Sequence, residues 1–165
     1  MGIDVVGGGM KFKIVAVGKI KDGFYKDAIA EYVKRTSRFC TVEIVEVAES
    51  FFNGEPSAKD IEKIINAEGQ SILAKTEGYV VATDIQGKQF TSEELSKHIT
   101  ANKQNYSTFT FVIGGSYGLS QEVKQRADLR LSFGKITLPH QLFRVILCEQ
   151  LYRACCIENN VPYHK

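Results

Sequence analysis

Proline and long apolar runs are both scarce in this sequence. The chain has 3 prolines and 14 glycines among 165 residues, of which 44% are hydrophobic and 24% charged. This is the composition of an ordinary globular domain, and it excludes collagen-like, coiled-coil and disordered classes. Every apolar stretch is shorter than the roughly 18 residues that a membrane-spanning helix needs, which excludes a transmembrane helix. The length predicts one domain whose core needs no disulfide or metal.

The sequence also lacks a large excess of charge of either sign. It has 21 Lys and Arg against 19 Asp and Glu, for a net charge of +2. A dedicated nucleic-acid binder usually shows a clustered basic excess, so RNA binding here would depend on where the charges lie or on two chains pooling them. The 4 cysteines form no CxxC pair or zinc spacing, and the 3 histidines add none. We therefore expect no metal site, and we interpret the cysteines as small buried side chains in a reducing cytosol.

The first nine residues, Met1–Gly9, read MGIDVVGGG and precede a second methionine, Met10. They lack the basic start and the long apolar stretch of a signal peptide, so a secreted protein is not expected. We interpret residues 1–9 as a cloning remnant or an upstream extension. Residues 10–165 are expected to form the single domain.

Strand and helix patterns alternate along the chain. Apolar, β-branched runs predict five strands, over Phe12–Val17, Thr41–Val47, Tyr79–Ile85, Thr108–Ile113 and Leu129–Leu138. Helical spacing predicts five helices, over Phe24–Arg38, Ser57–Thr76, Ser92–Lys103, a short one from Ser120 to Ala127, and His140–Asn159. Gln86–Lys88 is predicted to be a turn. This order predicts an α/β fold with a mainly parallel sheet and helices on both faces.

Ligands of such sheets collect beyond the carboxyl ends of the strands, which here are Ala82–Ile85, Gly114–Gly118 and Phe133–Pro139. The glycine loop lets backbone approach a ligand closely, or simply permits a tight turn. It does not match GxGxxG or a P-loop, which disfavours a nicotinamide site. A second candidate is the stretch LSFGKITLPH at Leu131–His140. Its interrupted strand leaves backbone N–H and C=O groups free to hydrogen-bond with the edge of an adenine ring. The alternative is an ordinary loop that ends at a proline.

The last predicted helix carries Arg144, Glu149 and Arg153 in an otherwise apolar stretch. The four-residue spacing of Glu149 and Arg153 predicts an ion pair. A helix that is apolar on more than one face packs on two sides. The second side is either a subunit interface or is buried within one chain, and the periodicity does not choose between them.

Two further groups are candidates for chemistry. In the tail, Tyr163 can stack on a base, His164 can move a proton near neutral pH, and Lys165 can hold a phosphate, unless the tail is simply frayed. His140 opens the last helix, where either capping or ligand contact is possible.

Several blocks of the sequence resemble one known family. They are IGGSYGLS at 113–120, LSFGKITLPHQLFRVILCEQLYRA at 131–154 and the terminal PYHK, and they include KIVAVGKIK at 13–21 and DIQGK at 84–88. They are similar to the ribosomal RNA large subunit methyltransferase H family, of the SPOUT class, from Met10 to Lys165. The resemblance implies a C-terminal deep trefoil knot, a homodimer, and S-adenosyl-L-methionine bound in the knot. It also implies methylation at N3 of a pseudouridine in a 23S rRNA hairpin loop on the assembled cytoplasmic ribosome, with no DNA partner.

Matching to the family's motifs places its cofactor contacts on Thr83, on Gly114 and on a run of six residues, which are Phe133, Gly134, Lys135, Ile136, Thr137 and Leu138. Thr83 stands where relatives often have leucine, and Gly134 where serine is more usual. If backbone atoms make the contacts, neither change removes them.

For the substrate, we expect His164 to act as general base at the mouth of a partner subunit's cofactor pocket, with Tyr163 stacking on or hydrogen-bonding the base. His140 is the rival base. Arg144 and Arg153 are better suited to hold a phosphate or carboxylate than to act as a base, because arginine stays charged. The alternative functions are a non-catalytic ribosome-binding module with the same fold, or a small-molecule enzyme of the Rossmann or flavodoxin-like type.

Overall fold

The computed structural model describes residues 9–165, so residues 1–8 of the expected leader lie outside the described residues. The strands are β1 (Lys11–Val17), β2 (Thr41–Val47), β3 (Tyr79–Gln89), β4 (Thr108–Ile113) and β5 (Leu129–Ser132). The helices are α1 (Gly23–Thr36), α2 (Ala58–Leu73), α3 (Ser92–Asn102), α4 (Gln121–Arg126) and α5 (His140–Glu158). All ten predicted elements are present, β2 and β4 with the predicted ends and the other eight with shifted ends.

The five described strands form one sheet in the order β2-β1-β4-β3-β5, and each of its strand pairs is parallel. This confirms the predicted α/β fold. The order places β4 between β1 and β3, whereas the Rossmann order is 3-2-1-4-5-6 and the flavodoxin-like order is 2-1-3-4-5. The alternative of a Rossmann or flavodoxin-like enzyme is therefore wrong.

Both faces of the sheet are covered, because successive side chains of a strand point to opposite faces. Phe12 and Ile14 of β1 pack on the face that carries α1, α3 and α5. Val15 and Val17 pack on the other face, with Ile72 of α2. The strand ends are consequently the exposed parts of the sheet, as the alternating sequence pattern predicts.

Side-chain caps fix where the helices begin. A capping box of Thr91 and Glu94 starts α3, and the Ser120 side chain caps α4. A second capping box, of Ser57 and Asp60, starts α2. The four cysteines are unpaired and buried, as expected. Within residues 9–165, no helix combines the length and the apolar character that a bilayer crossing requires.

Two predicted element ends are wrong, and both lie where β3 meets β5. Gln86–Lys88 is not a turn outside the strand, because Thr83 and Lys88 of β3 both pair with Leu131 and residues 84–87 bulge between them. The predicted last strand does not resume after glycine and reach Leu138. It ends at Ser132, since Gly134 has φ +117 and cannot continue the ladder.

The shared core of β1 and β4 should dominate the stability of the fold. Phe111 is fully buried, with its ring edge-on to Phe12 at 5.9 Å. Phe111→Ala should lower the free energy of unfolding by about 3–5 kcal/mol, measured by urea denaturation. Phe24, whose ring is 67% exposed, is the matched control, and Phe24→Ala should change the stability by less than about 0.5 kcal/mol. Equal losses in the two variants would contradict this account of the core.

Candidate functional site

A cavity of about 460 Å³ opens at the carboxyl ends of β3, β4 and β5. It is lined by all three strand-end segments that the sequence singles out, together with the first turn of α5. The lining residues are Thr83, Asp84, Ile85, Gln86, Ile113, Ser116, Tyr117, Gly118, Leu119, Lys124, Leu131, Phe133, Gly134, Ile136, Thr137, Leu138, His140 and Phe143. We call it the first cavity. Its size lies within the range of about 300–1,000 Å³ that is typical of small-molecule sites.

The bulge at residues 84–87 forms one wall of the first cavity. The Asp84 carboxylate accepts a hydrogen bond from the Gln86 N–H at 3.0 Å and pairs with the Arg130 guanidinium at 3.4 Å. Gly87 lets the bulge pass over β5, because a Cβ there would lie 2.6 Å from the Arg130 backbone. The sequence signal for this wall was the DIQGK block, although its pattern suggested a turn.

The opposite wall is the segment 133–138, and the buried Ser132 hydroxyl ties it to the bulge. Ser132 Oγ donates to the Ile85 carbonyl at 3.0 Å and accepts from the Gly134 N–H at 3.1 Å. One contact reaches into the bulge of β3 and the other lies just past the end of β5. Ser132 thus fixes the distance between the two walls, and its place inside a predicted strand gave no hint of this role.

The floor of the first cavity lies where β3 meets β4. The Thr83 hydroxyl donates to the Val112 carbonyl at 2.7 Å, so this side chain joins the two strands. Gly114 lies behind Leu119, where a Cβ would come within 2.8 Å of Leu119 Cδ2. Gly114 and Lys135 are the two expected cofactor residues that do not line the first cavity, whereas the other six do.

The first turn of α5 lies between the first cavity and a second cavity of about 600 Å³, and His140 lines both. Pro139 is the N-cap of α5 and no side chain caps the helix. The capping alternative for His140 is therefore wrong, and its exposed ring faces the cavities. Phe143, one turn later, packs edge-on against Phe133 with the ring centroids 4.9 Å apart.

Arg144 lines the second cavity and does not reach the first. Its buried guanidinium forms an ion pair with Glu46 at 2.5 Å and donates to the Gly18 carbonyl at 3.2 Å. The Nε atom of Arg144 is buried and has no hydrogen-bond partner among residues 9–165. Arg144 therefore binds a carboxylate of its own chain, and its expected role in holding a phosphate or carboxylate of the bound molecules stays a prediction.

Glu68 is a buried carboxylate that the sequence pattern did not reveal, because it lies within the regular apolar spacing of α2. Its Oε2 accepts from the Ser50 N–H at 3.0 Å, while Oε1 is without a partner in the described part of the chain. Burial raises the pKa of Glu68, the Ser50 hydrogen bond opposes this, and nearby Glu49 adds to the rise. Glu68 thus holds the loop before α2 in place, although burying its carboxylate costs desolvation free energy.

The tail folds back onto α5 of its own chain. The Tyr163 hydroxyl donates to Glu149 Oε2 at 2.6 Å, and the Arg153 guanidinium lies over the Tyr163 ring at 4.7 Å. The predicted ion pair between Glu149 and Arg153 is present. Although burial raises the pKa of Glu149, hydrogen bonds from Arg153 and Tyr163 outweigh it and hold the pKa below its usual range.

Both ring nitrogens of His164 are occupied in this arrangement. Arg153 lies 3.0 Å from Nδ1, and since arginine only donates, Nδ1 accepts and the ring proton is on Nε2. Nε2 in turn lies 3.3 Å from the Glu93 carboxylate. His164 is therefore oriented by two charged neighbours, and its free lone pair is used by Arg153.

The structure does not bring the tail into the first cavity of the same chain. Glu149, the tail's anchor, is six residues further along α5 than Phe143 at the cavity, which is about 9 Å of helix. Neither Tyr163 nor His164 is among the residues that line the first cavity. Of the four expected catalytic residues, only His140 lies at its mouth.

Comparison with known proteins agrees with this geometry. A family model described as "Predicted SPOUT methyltransferase" matches residues 10–164. Proteins called ribosomal RNA large subunit methyltransferase H, from Streptococcus pneumoniae strains CGSP14 and 70585, are each 48% identical over 159 residues, covering 94% of this chain and all of theirs. A probable methylase family protein from Haemophilus influenzae Rd KW20 shares the fold, with a TM-score of 0.51 and 14% identity over 93% of this chain and 70% of its own. The chain therefore belongs to the SPOUT methyltransferases and, among them, to the ribosomal RNA large subunit methyltransferase H family.

Proposed function

We propose that this chain transfers a methyl group from S-adenosylmethionine to N3 of a pseudouridine in a hairpin loop of the large-subunit rRNA. The substrate is the assembled ribosome in the cytoplasm, and the enzyme acts as a homodimer. One observation carries the proposal: the strand-end segments expected to hold the cofactor line a single cavity. Family membership at 48% identity supports the reaction class.

The residues of the first cavity fit S-adenosylmethionine. The loop 133–138 belongs to no strand or helix, so its peptide groups are free to meet the edge of an adenine ring. Ile113 and Leu138 give apolar surface for the sugar, while Asp84 and Lys124 offer one charge of each sign to the zwitterionic amino-acid end. When bound, the cofactor supplies an electrophilic methyl group on a sulfonium.

The remaining chemistry belongs to the protein. The N3 of pseudouridine is an imide that has a proton to lose, so a positioned base assists the transfer. His164 is the proposed base, and it becomes competent when Arg153 releases the Nδ1 lone pair that it occupies in this structure. His140, exposed at the mouth of the first cavity, is the rival. Tyr163 provides a ring on which the target base can stack.

A homodimer explains how the tail can serve a cofactor cavity that it does not reach in its own chain. Leu142, Val145 and Ile146 form a half-exposed apolar stripe on α5, and Glu149 continues it at helical spacing. Packing this stripe against a second copy would bring the tail of one subunit beside the first cavity of the other. The C-terminal trefoil knot is part of the same proposal, since it is a property that resemblance to the family implies.

Ribosomes should be far better substrates than naked rRNA. A net charge of +2 gives little nonspecific affinity for free RNA, so a shaped ribosomal site has to add contacts. With labelled S-adenosylmethionine, we expect transfer to ribosomes that lack the modification, on one mapped pseudouridine, and much slower transfer to rRNA fragments. No transfer to ribosomes would contradict the proposed function. Equal rates on both substrates would contradict the role of the assembled particle.

Removing the Ser132 hydroxyl should loosen the first cavity. Ser132→Ala leaves the half-buried Gly134 N–H without its acceptor, and a lost hydrogen bond costs about 0.5–1.5 kcal/mol. Because this loss falls between the cavity walls, we expect the Kd for S-adenosylmethionine to rise about tenfold in calorimetry. Ser96, equally buried and bonded to the Ala154 carbonyl at 2.8 Å, is the matched control. Ser96→Ala should lower stability but leave the cofactor Kd unchanged, and the same Kd in both variants would count against the role of Ser132.

His164→Ala should slow methyl transfer without weakening cofactor binding. Loss of a general base typically costs about 10²–10⁴ in rate, and His164 does not line the first cavity. Single-turnover rates on ribosomes and calorimetry with S-adenosylmethionine measure the two effects. Lys63→Ala, a change to an exposed side chain of α2, is the control. A His164→Ala enzyme with a normal rate would remove this residue as base and favour His140.

A further inference from the structure

The second cavity lies at the carboxyl ends of β1 and β2, beside the first. It has a volume of about 600 Å³ and shares Ser116 and His140 with its neighbour. Its other lining residues are Val17, Gly18, Lys19, Lys21, Glu46, Val47, Ala48, Glu49, Phe51, Gly115, Gln141 and Arg144. The proposed methyl transfer uses the first cavity and leaves this one without a role.

The charges around the second cavity are unevenly compensated. Glu46 is neutralised by Arg144, and the Ile20 N–H donates to it at 3.0 Å. Lys19 and Lys21 are exposed, and neither has an acidic partner at ion-pairing distance anywhere in residues 9–165. With Glu49 as the remaining acidic group, the free charge of the cavity is positive. An anionic ligand suits it better than a cationic one.

Phe51 gives the second cavity an aromatic wall that the protein leaves in water. Its side chain is 83% exposed, although burial of a phenylalanine normally stabilises a fold. A ring beside unpaired lysines is the combination with which proteins hold single-stranded nucleic acid, the ring stacking on a base and the lysines contacting phosphate. The chemistry of the cavity therefore matches a nucleotide.

The start of α5 adds to the attraction for phosphate. This helix of 19 residues has no side-chain cap and no acidic residue in its first turn, so its N–H groups and dipole favour an anion. Gln141 lines the second cavity, and its Oε1 accepts a hydrogen bond from the Lys21 N–H at 3.3 Å. This bond holds the loop that carries Lys19 and Lys21 close to the start of α5. The unpartnered Nε of Arg144 lies in the same wall.

We propose that the second cavity binds a nucleotide that flanks the target in the single-stranded rRNA loop. Lys19 and Lys21 contact its phosphates, and Phe51 stacks on its base. Because the two cavities meet at Ser116 and His140, a chain that places its target base at the first cavity brings a neighbouring nucleotide to the second. This inference rests on the proposed function and adds the position of a specificity-determining contact.

Binding without catalysis tests the inference. The Kd for ribosomes lacking the modification is measured for the wild type, for the double variant Lys19→Ala/Lys21→Ala and for Phe51→Ala over a range of KCl. Two lost phosphate contacts should reduce the slope of log Kd against log salt by about 1.4, at about 0.7 for each contact to a single strand. Loss of stacking should raise the Kd about fivefold or more in Phe51→Ala at all salt concentrations.

Two variants control for general effects of charge and loop structure. Phe52 is next to Phe51 but does not line the cavity, and Lys75 is an exposed lysine just after α2, so Phe52→Ala and Lys75→Ala should bind ribosomes normally. Every variant should keep the wild-type Kd for S-adenosylmethionine.

Unchanged ribosome binding and salt slope in the double variant and in Phe51→Ala would overturn the inference. A loss of dimer in Phe51→Ala, seen by light scattering, would also overturn it, because the cavity would then bind a second copy of the chain. Both results are separate from failure of the proposed function, which would appear as absent methyl transfer by the wild type.

Discussion

The pairing of β3 with β5 is interrupted at Leu131 by the bulge of β3, and the first cavity exists because of that interruption. One strand bulges over residues 84–87 while the other leaves the sheet at Ser132. Where the two segments diverge, their backbone N–H and C=O groups lose each other as partners and must form hydrogen bonds with water or with a ligand. The Ser132 hydroxyl, bonded to Ile85 and Gly134, keeps the segments a fixed distance apart. The first cavity is therefore part of the structure of the sheet edge, and the buried Ser132 side chain maintains its width.

Helix α5 sets the positions of His140 and of the tail. Its first turn separates the two cavities, and its middle holds the tail through Glu149 and Arg153. Because the helix is rigid, the tail and the cavity of one chain stay apart by about two helical turns. A reaction that needs both must draw them from two chains or move the tail. The half-exposed apolar stripe on the same helix favours the first solution.

Sequence patterns predicted the segments that line the first cavity, because these segments follow strongly periodic strands. The run Phe109–Val112 is fully buried and marks β4, so the glycine loop after it could be placed at the carboxyl edge. The bulge could not be foreseen, since it depends on Gly87 meeting Arg130 across the sheet. Glu68 was hidden for a similar reason: its burial is set by the loop at Ser50, which is distant in sequence. Contacts between distant segments leave no periodic signal.

The small net charge hides an uneven local arrangement. Glu46, Glu149 and Glu158 are held by Arg144, Arg153 and Lys103 of the same chain, so these pairs contribute little to the outer field. What remains around the second cavity is Glu49 and two unpaired cations, Lys19 and Lys21, which lie beside an exposed aromatic ring. Phosphate contacts position a nucleic acid, whereas stacking and shape decide which segment fits. Because few cations are free, we expect most RNA to bind weakly. The shape of the two cavities then decides which RNA segment binds.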